Sequence, residues 1–101
     1  ASVEALRTMV DQLKDRMKSG VVLLGSAKDG RVVLIGGVTQ DLVKRGLNAS
    51  SLVKDAANIV GGSGGGRPEM AQAGGKDCEK LPDALRFIRQ WLEYSLAKTN
   101  V

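Results

Sequence analysis

Gly61-Gly62-Ser63-Gly64-Gly65-Gly66-Arg67-Pro68-Glu69-Met70-Ala71-Gln72-Ala73-Gly74-Gly75 decides how this chain is read, because seven of its thirteen glycines fall inside these fifteen positions. Glycine at this density does one of two physical jobs. It gives the backbone positive φ, or it lets N–H groups approach a bound anion with no Cβ in the way. Both favour a phosphate cradle, in which the amides of Ser63 to Gly66 and the planar guanidinium of Arg67 face anionic oxygens. Known phosphate motifs do not fit. Gly61 to Gly66 satisfies the G-x-x-x-x-G part of a Walker A loop, but Arg67 and Pro68 stand where that motif needs Lys and then Ser or Thr. The proline also lacks the N–H for an immediate helical continuation. The dinucleotide fingerprint wants a strand before the loop and a helix directly after it, and neither is indicated. An inert Gly/Ser linker is the alternative. Against it, the chain is short for two domains, Arg67 to Gln72 is not low-complexity, and Gly74-Gly75 bound a candidate third strand of small residues.

Outward from this segment the apolar spacing marks the remaining elements. Leu52, Val53, Ala56, Ala57, Ile59 and Val60 predict a helix from about Ser50 to Val60, with candidate N-caps between Asn48 and Ser51 and Gly61-Gly62 ending it. Beyond the loop, Leu85, Ile88, Trp91, Leu92 and Leu96 form one stripe of a helix from about Pro82 to Lys98, and Pro82 suits its first turn. Trp91 reads as a packing residue. Upstream, Val21 to Leu24 and Val32 to Ile35 are β-branched runs around the turn dipeptide Asp29-Gly30, the pattern of a hairpin. Neither run alternates polar with apolar, so helices are expected over both faces of the sheet. A short helical piece around Asp41 to Arg45 leads to Gly46. At the start, Val3, Leu6, Val10, Leu13 and Met17 line one face of an amphipathic helix with Ser2 as N-cap, while Arg7, Asp11, Lys14, Asp15 and Lys18 read as its solvated face. The fold class is therefore α/β: a small sheet of three or more strands including a hairpin, covered by helices, with an N-terminal amphipathic helix.

Composition limits the chemistry. One hundred and one residues make a single domain, and apolar runs fall far short of the roughly 18 residues that cross a bilayer. No membrane span and no secretory signal peptide are expected. With no histidine and one cysteine, Cys78, neither a His-based triad nor a usual zinc site nor an internal disulfide can be built. The lone thiol fits a reducing, cytoplasmic setting. Fifteen basic against eleven acidic residues leave a charge of +4, a mild bias toward polyanions. A first residue of Ala1 is what a piece of a longer chain would show.

The glycine-rich segment closely resembles the signature of the C-terminal domain of alanyl-tRNA synthetases, a domain class also appended to DHH-type phosphoesterases. The likeness extends to the hairpin, to the helix ending in Ile59-Val60-Gly61-Gly62 and to the closing Leu81-Pro82-Asp83-Ala84-Leu85 helix with Trp91, about residues 19 to 98. The resemblance implies two parts: residues 1–18, the end of a helical connecting region, and residues 19–101, a globular tRNA-binding domain with its Gly-rich loop at 61–75. It implies a noncatalytic module that engages the outer corner of tRNA and helps couple aminoacylation to editing. ATP, magnesium and zinc belong to other parts of such a synthetase, and no cofactor is expected in this fragment. In the phosphoesterase relatives histidine follows the glycines, where this chain has Arg67. That substitution speaks against phosphodiester cleavage.

The candidate nucleic-acid contacts are Ser63, Gly64, Gly65, Gly66, Arg67, Gln72 and Lys76. Gln72 can meet a base edge or hold the loop's own backbone, and whether Lys28 and Arg31 share the face of Arg67 is open. With three aromatic residues, Phe87, Trp91 and Tyr94, all on the last helix, recognition is expected through shape and backbone rather than base stacking. The expected partners are tRNA, alanine-specific by the resemblance, and the aminoacylation and editing domains of the same synthetase. A homodimer through the first helix is the alternative assembly role.

Overall fold

The computed structural model describes residues 3–99, with side chains through residue 90. Ser2 as a cap, and the side chains of Trp91, Leu92, Tyr94 and Leu96, therefore lie outside the described residues. The elements are α1 (Val3–Arg16), β1 (Val21–Lys28), β2 (Arg31–Val38), α2 (Gln40–Lys44), α3 (Ala49–Ile59), β3 (Ser63–Gly66), β4 (Met70–Gly75), a 3₁₀ turn (Cys78–Lys80) and α4 (Leu81–Thr99). The four strands form one antiparallel sheet in the order β1-β2-β4-β3.

β2 is central and its sequence shows why it reads as continuously apolar. Val32, Leu34 and Val38 are buried toward α3, whereas Ile35 is buried toward α1, so both faces of this strand are covered. β1 and β2 run longer than the sequence indicates, up to the two-residue turn Asp29-Gly30. Its positive φ values, 54° and 76°, match the strand twist as a type I′ turn requires. Lys28 and Arg31 are thereby paired at the strand ends.

One layer of core lies between the sheet and α3 with α4, built from Leu52, Val53, Ala56 and Ala57 against Leu34, Ala71 and Ala73, with Ala84 and Ile88 closing it. The alanines of β4 let α3 approach the sheet closely. Asn48 caps α3 as expected, its side-chain oxygen accepting from the N–H of Ser50 at 2.8 Å and of Ser51 at 3.3 Å. The helix ends at Gly61, whose φ of +67° suits glycine, and Gly62 N–H returns to Ala57 C=O at 2.8 Å.

The other face holds a smaller cluster in which Leu6 and Val10 of α1 pack on Val22 and Ile35. The expected apolar face of α1 thus covers the sheet, although Met9 and Leu13 project outward, 47% and 37% exposed. Burial of Leu6 and Val10 is worth about 1.5–3 kcal/mol each. That exceeds any exposed polar contact of the helix, so packing fixes α1 and thereby the positions of its charged residues. α1 lies over β1 and β2 and leaves the same face of β4 largely uncovered. Thr39, at the end of β2, joins the layers: its hydroxyl accepts from Gly20 N–H at 3.0 Å and donates to Asp41 Oδ1 at 2.6 Å.

Candidate nucleic-acid interface

The segment read as a Gly-rich loop at 61–75 is mostly sheet. Ser63–Gly66 is a strand, Arg67 to Glu69 turn the chain, and Met70–Gly75 is a second strand, so the loop expectation is corrected to a hairpin at the sheet edge. The reason is backbone satisfaction: β4 is already paired with β2 on one side, and the glycine run supplies partners for its other side.

This pairing changes which amides are free. Arg67 N–H donates to Met70 C=O at 2.9 Å, and Val38 N–H donates to Glu69 C=O at 3.0 Å. Antiparallel alternation then turns Met70, Gln72 and Gly74 toward β3, and Ala71 and Ala73 toward β2. Ser63 and Gly65, the partners of Gly74 and Gln72, spend their amides in the ladder. Gly64 and Gly66 turn theirs outward to the open edge. Two amides, not four consecutive ones, therefore remain for a ligand. Close approach of the strands requires glycine at Gly64, where an added Cβ would lie 2.3 Å from Ala73 Cβ.

Strand parity sets the face. Gln72 is paired with Ile35, which faces α1, so Gln72 also lies on the α1 side. There Arg7 Nη1 donates to Gln72 Oε1 at 3.2 Å, and Lys14 Nζ donates to Glu69 C=O at 2.9 Å. A guanidinium has only donors, so Gln72 must turn its oxygen toward Arg7, and its NH₂ faces away as a further donor. A groove of about 270 Å³ follows, lined by Gly65, Gly66, Arg67, Met70, Gln72 and Arg7. A second hollow of the same size adjoins it and shares Arg7, Arg67 and Met70, adding Lys14, Asp11 and Glu69. Arg67 sits at the hairpin tip with its side chain 83% exposed and only a loose pairing to Glu69 at 3.9 Å. Such an exposed pair costs little to exchange for a ligand.

Gly65, Gly66, Arg67 and Gln72 are thus brought together in the groove, with Gly64 next to it on the open edge. Ser63 and Lys76 lie at the far end of the hairpin, Lys76 about 20 Å along β4 from its tip at 3.3 Å per residue. Of the two expected roles of Gln72, a hold on the loop's own backbone is not made among the described residues; its side-chain oxygen is instead engaged by Arg7. Sequence reading missed Arg7 and Lys14, placing both on a solvated face. The available signal was their spacing of seven, which puts them on one stripe of α1, but the strand beneath that stripe is set only by tertiary packing.

The groove presents donors and positive charge: two guanidiniums, the Gln72 amide and the outward N–H of Gly66, with Lys14 alongside. Its chemical complement is a ligand rich in acceptor oxygens. A protein-family model, the DHHA1 domain, matches residues 1–94. The chain is 60% identical over 94 residues to the alanine–tRNA ligase of Pelotomaculum thermopropionicum, covering 93% of this chain and 11% of that one. It is 52% identical over 88 residues to the ligase of Bacillus subtilis, covering 87% and 10%. The chain therefore spans about a tenth of the length of these curated relatives. The crystal structure of the C-Ala domain from Aquifex aeolicus alanyl-tRNA synthetase superposes with a TM-score of 0.82 at 31% identity, covering 89% of this chain and 80% of that one.

Proposed function

The chain belongs to the DHHA1 domain family, and from that premise we propose that it is the noncatalytic, tRNA-engaging C-terminal domain of an alanine–tRNA ligase working in the cytoplasm. The observation that carries this reading is the donor-lined groove between α1 and the β3–β4 hairpin, open to solvent and built from Arg7, Arg67, Gln72 and the edge of Gly64 to Gly66. Phosphate oxygens of the tRNA corner accept from these groups, which gives position along the backbone without reading sequence. Aminoacylation and editing take place in other domains of the ligase, and tRNA held here is presented to both. At +4 the isolated domain binds weakly, and linkage to other tRNA-binding domains supplies the working affinity.

The test is titration of an alanine tRNA transcript with the chain at several salt concentrations, beside Arg67→Ala. The logarithm of affinity should fall with the logarithm of salt, and the variant should lower that slope by about 0.7 to 0.9, the share of one phosphate contact. Equal slopes would remove Arg67 from the interface. A second reading, homodimerisation through α1, is favoured by the exposed neighbours Met9 and Leu13. Sedimentation at two concentrations separates it, because a concentration-independent monomer rejects it for this chain.

A further inference from the structure

The β1–β2 turn carries a cluster that the groove does not absorb. Lys28 and Arg31 are paired across the turn, and Ser26 is paired with Val33. Val33 packs on the α1-side cluster with Ile35, so strand parity places Arg31, and with it Lys28 and Ser26, on the face that carries Arg7 and Gln72. These residues line a concavity of about 500 Å³ together with Asp29. Two cations against the one carboxylate leave it net positive, and Lys28 and Arg31 are both exposed.

The ground between the two basic sites is free of obstruction. Arg31 lies four residues along β2 from Ile35, the partner of Gln72, which is about 13 Å at 3.3 Å per residue. Gly74, paired with Val33, lies between them on β4, and a Cβ added there would meet only the Val32 carbonyl oxygen, at 3.5 Å. A single phosphate cannot touch both sites. A backbone carrying several consecutive phosphates spans that distance.

We propose that Lys28 and Arg31, with Ser26, form a second phosphate-binding point that engages the same nucleic-acid backbone as the Arg67 groove at a phosphate further along the strand. The ligand class is thereby a polyanion with consecutive phosphates rather than a mononucleotide or a single phosphoryl group. This inference rests on the nucleic-acid reading of the groove and adds its direction and footprint.

The experiment compares wild type, Lys28→Gln/Arg31→Gln and Arg86→Gln/Arg89→Gln in titrations of alanine tRNA transcript across a salt series. The last variant removes the same charge from α4, which packs on the opposite face of the sheet through Ala84 and Ile88. Wild type should bind with a salt-dependent slope, and the Lys28/Arg31 variant should lower that slope by about 1.4 to 1.8, two phosphate contacts at 0.7 to 0.9 each. The α4 variant should leave it within about 0.3. A Lys28/Arg31 slope equal to wild type, with affinity within twofold, overturns the second point while the groove stands. Equal losses in both variants also overturn it, since net charge alone then accounts for binding. A wild type with no salt-dependent binding overturns both readings. All four substituted residues are exposed, and an unchanged thermal midpoint confirms that the variants are folded.

Discussion

Arg7 determines what Gln72 offers a ligand. Because Arg7 occupies the amide oxygen, the groove shows Gln72 only as a donor, beside the two guanidiniums of Arg7 and Arg67. Arg67 was legible in the sequence because a guanidinium beside six small or polar residues stands out. Arg7 was not, since its role depends on which strand its helix turn overlies. Gly64 illustrates the opposite case, in which a residue is fixed by its neighbour's backbone. Gly64→Ala would force a methyl to within 2.3 Å of Ala73 Cβ, so it should lower stability by about 1–3 kcal/mol, the usual cost of overpacking. Gly65→Ala meets only the mobile ends of Lys54 and Ser50, at 3.2 and 3.4 Å, and should cost distinctly less. Urea denaturation midpoints of the two variants provide the check, and equal losses would show that β3 does not lie against β4 as described.

At the scale of elements, the helices and the first hairpin were readable because their signals are local: apolar spacing, the Asn48 cap, the Asp29-Gly30 turn and the Gly61 stop. The β3–β4 hairpin was half readable. Met70 to Gly75 has the small residues of a strand beneath a helix, but Ser63 to Gly66 has no side-chain alternation at all, and only an unpaired edge of β4 makes a strand of it. Its open edge is also what leaves the Gly64 and Gly66 amides available. The junction of β2 with α2 carries a pH-sensitive contact. The hydroxyl of Ser19, and next that of Thr39, hydrogen-bond the Asp41 carboxylate and hold its pKa below the ordinary value near 4. A depressed folded pKa contributes stability that is present above about pH 4 and lost as pH falls through the folded value. Asp41→Asn should therefore be less stable than wild type at pH 7, with the difference shrinking as pH falls below about 4. A difference independent of pH, in thermal midpoints measured from pH 2 to 7, would deny this contact its role.

For the whole molecule, sheet coverage explains where the groove is placed. α3 and α4 cover one face with the larger core, whereas α1 is a single helix over two of four strands on the other. The uncovered strip along β4 is flanked by basic residues from α1 and from both hairpin turns, and by the glycine edge. The sequence showed that helices lie on both sides of the sheet, but one chain's spacing does not reveal that one of these layers is incomplete. Among the described residues no helix is long and apolar enough to cross a membrane. The most direct measurement is the amide chemical-shift map of the ¹⁵N-labelled chain on addition of alanine tRNA transcript. Shifts should concentrate at Arg7, Gly64, Gly66, Arg67 and Gln72 and extend past Gly74 toward Arg31, while Ala56 and Arg86 on the opposite face stay in place. Shifts confined to α3 and α4, with the strip beside α1 unmoved, would contradict the account.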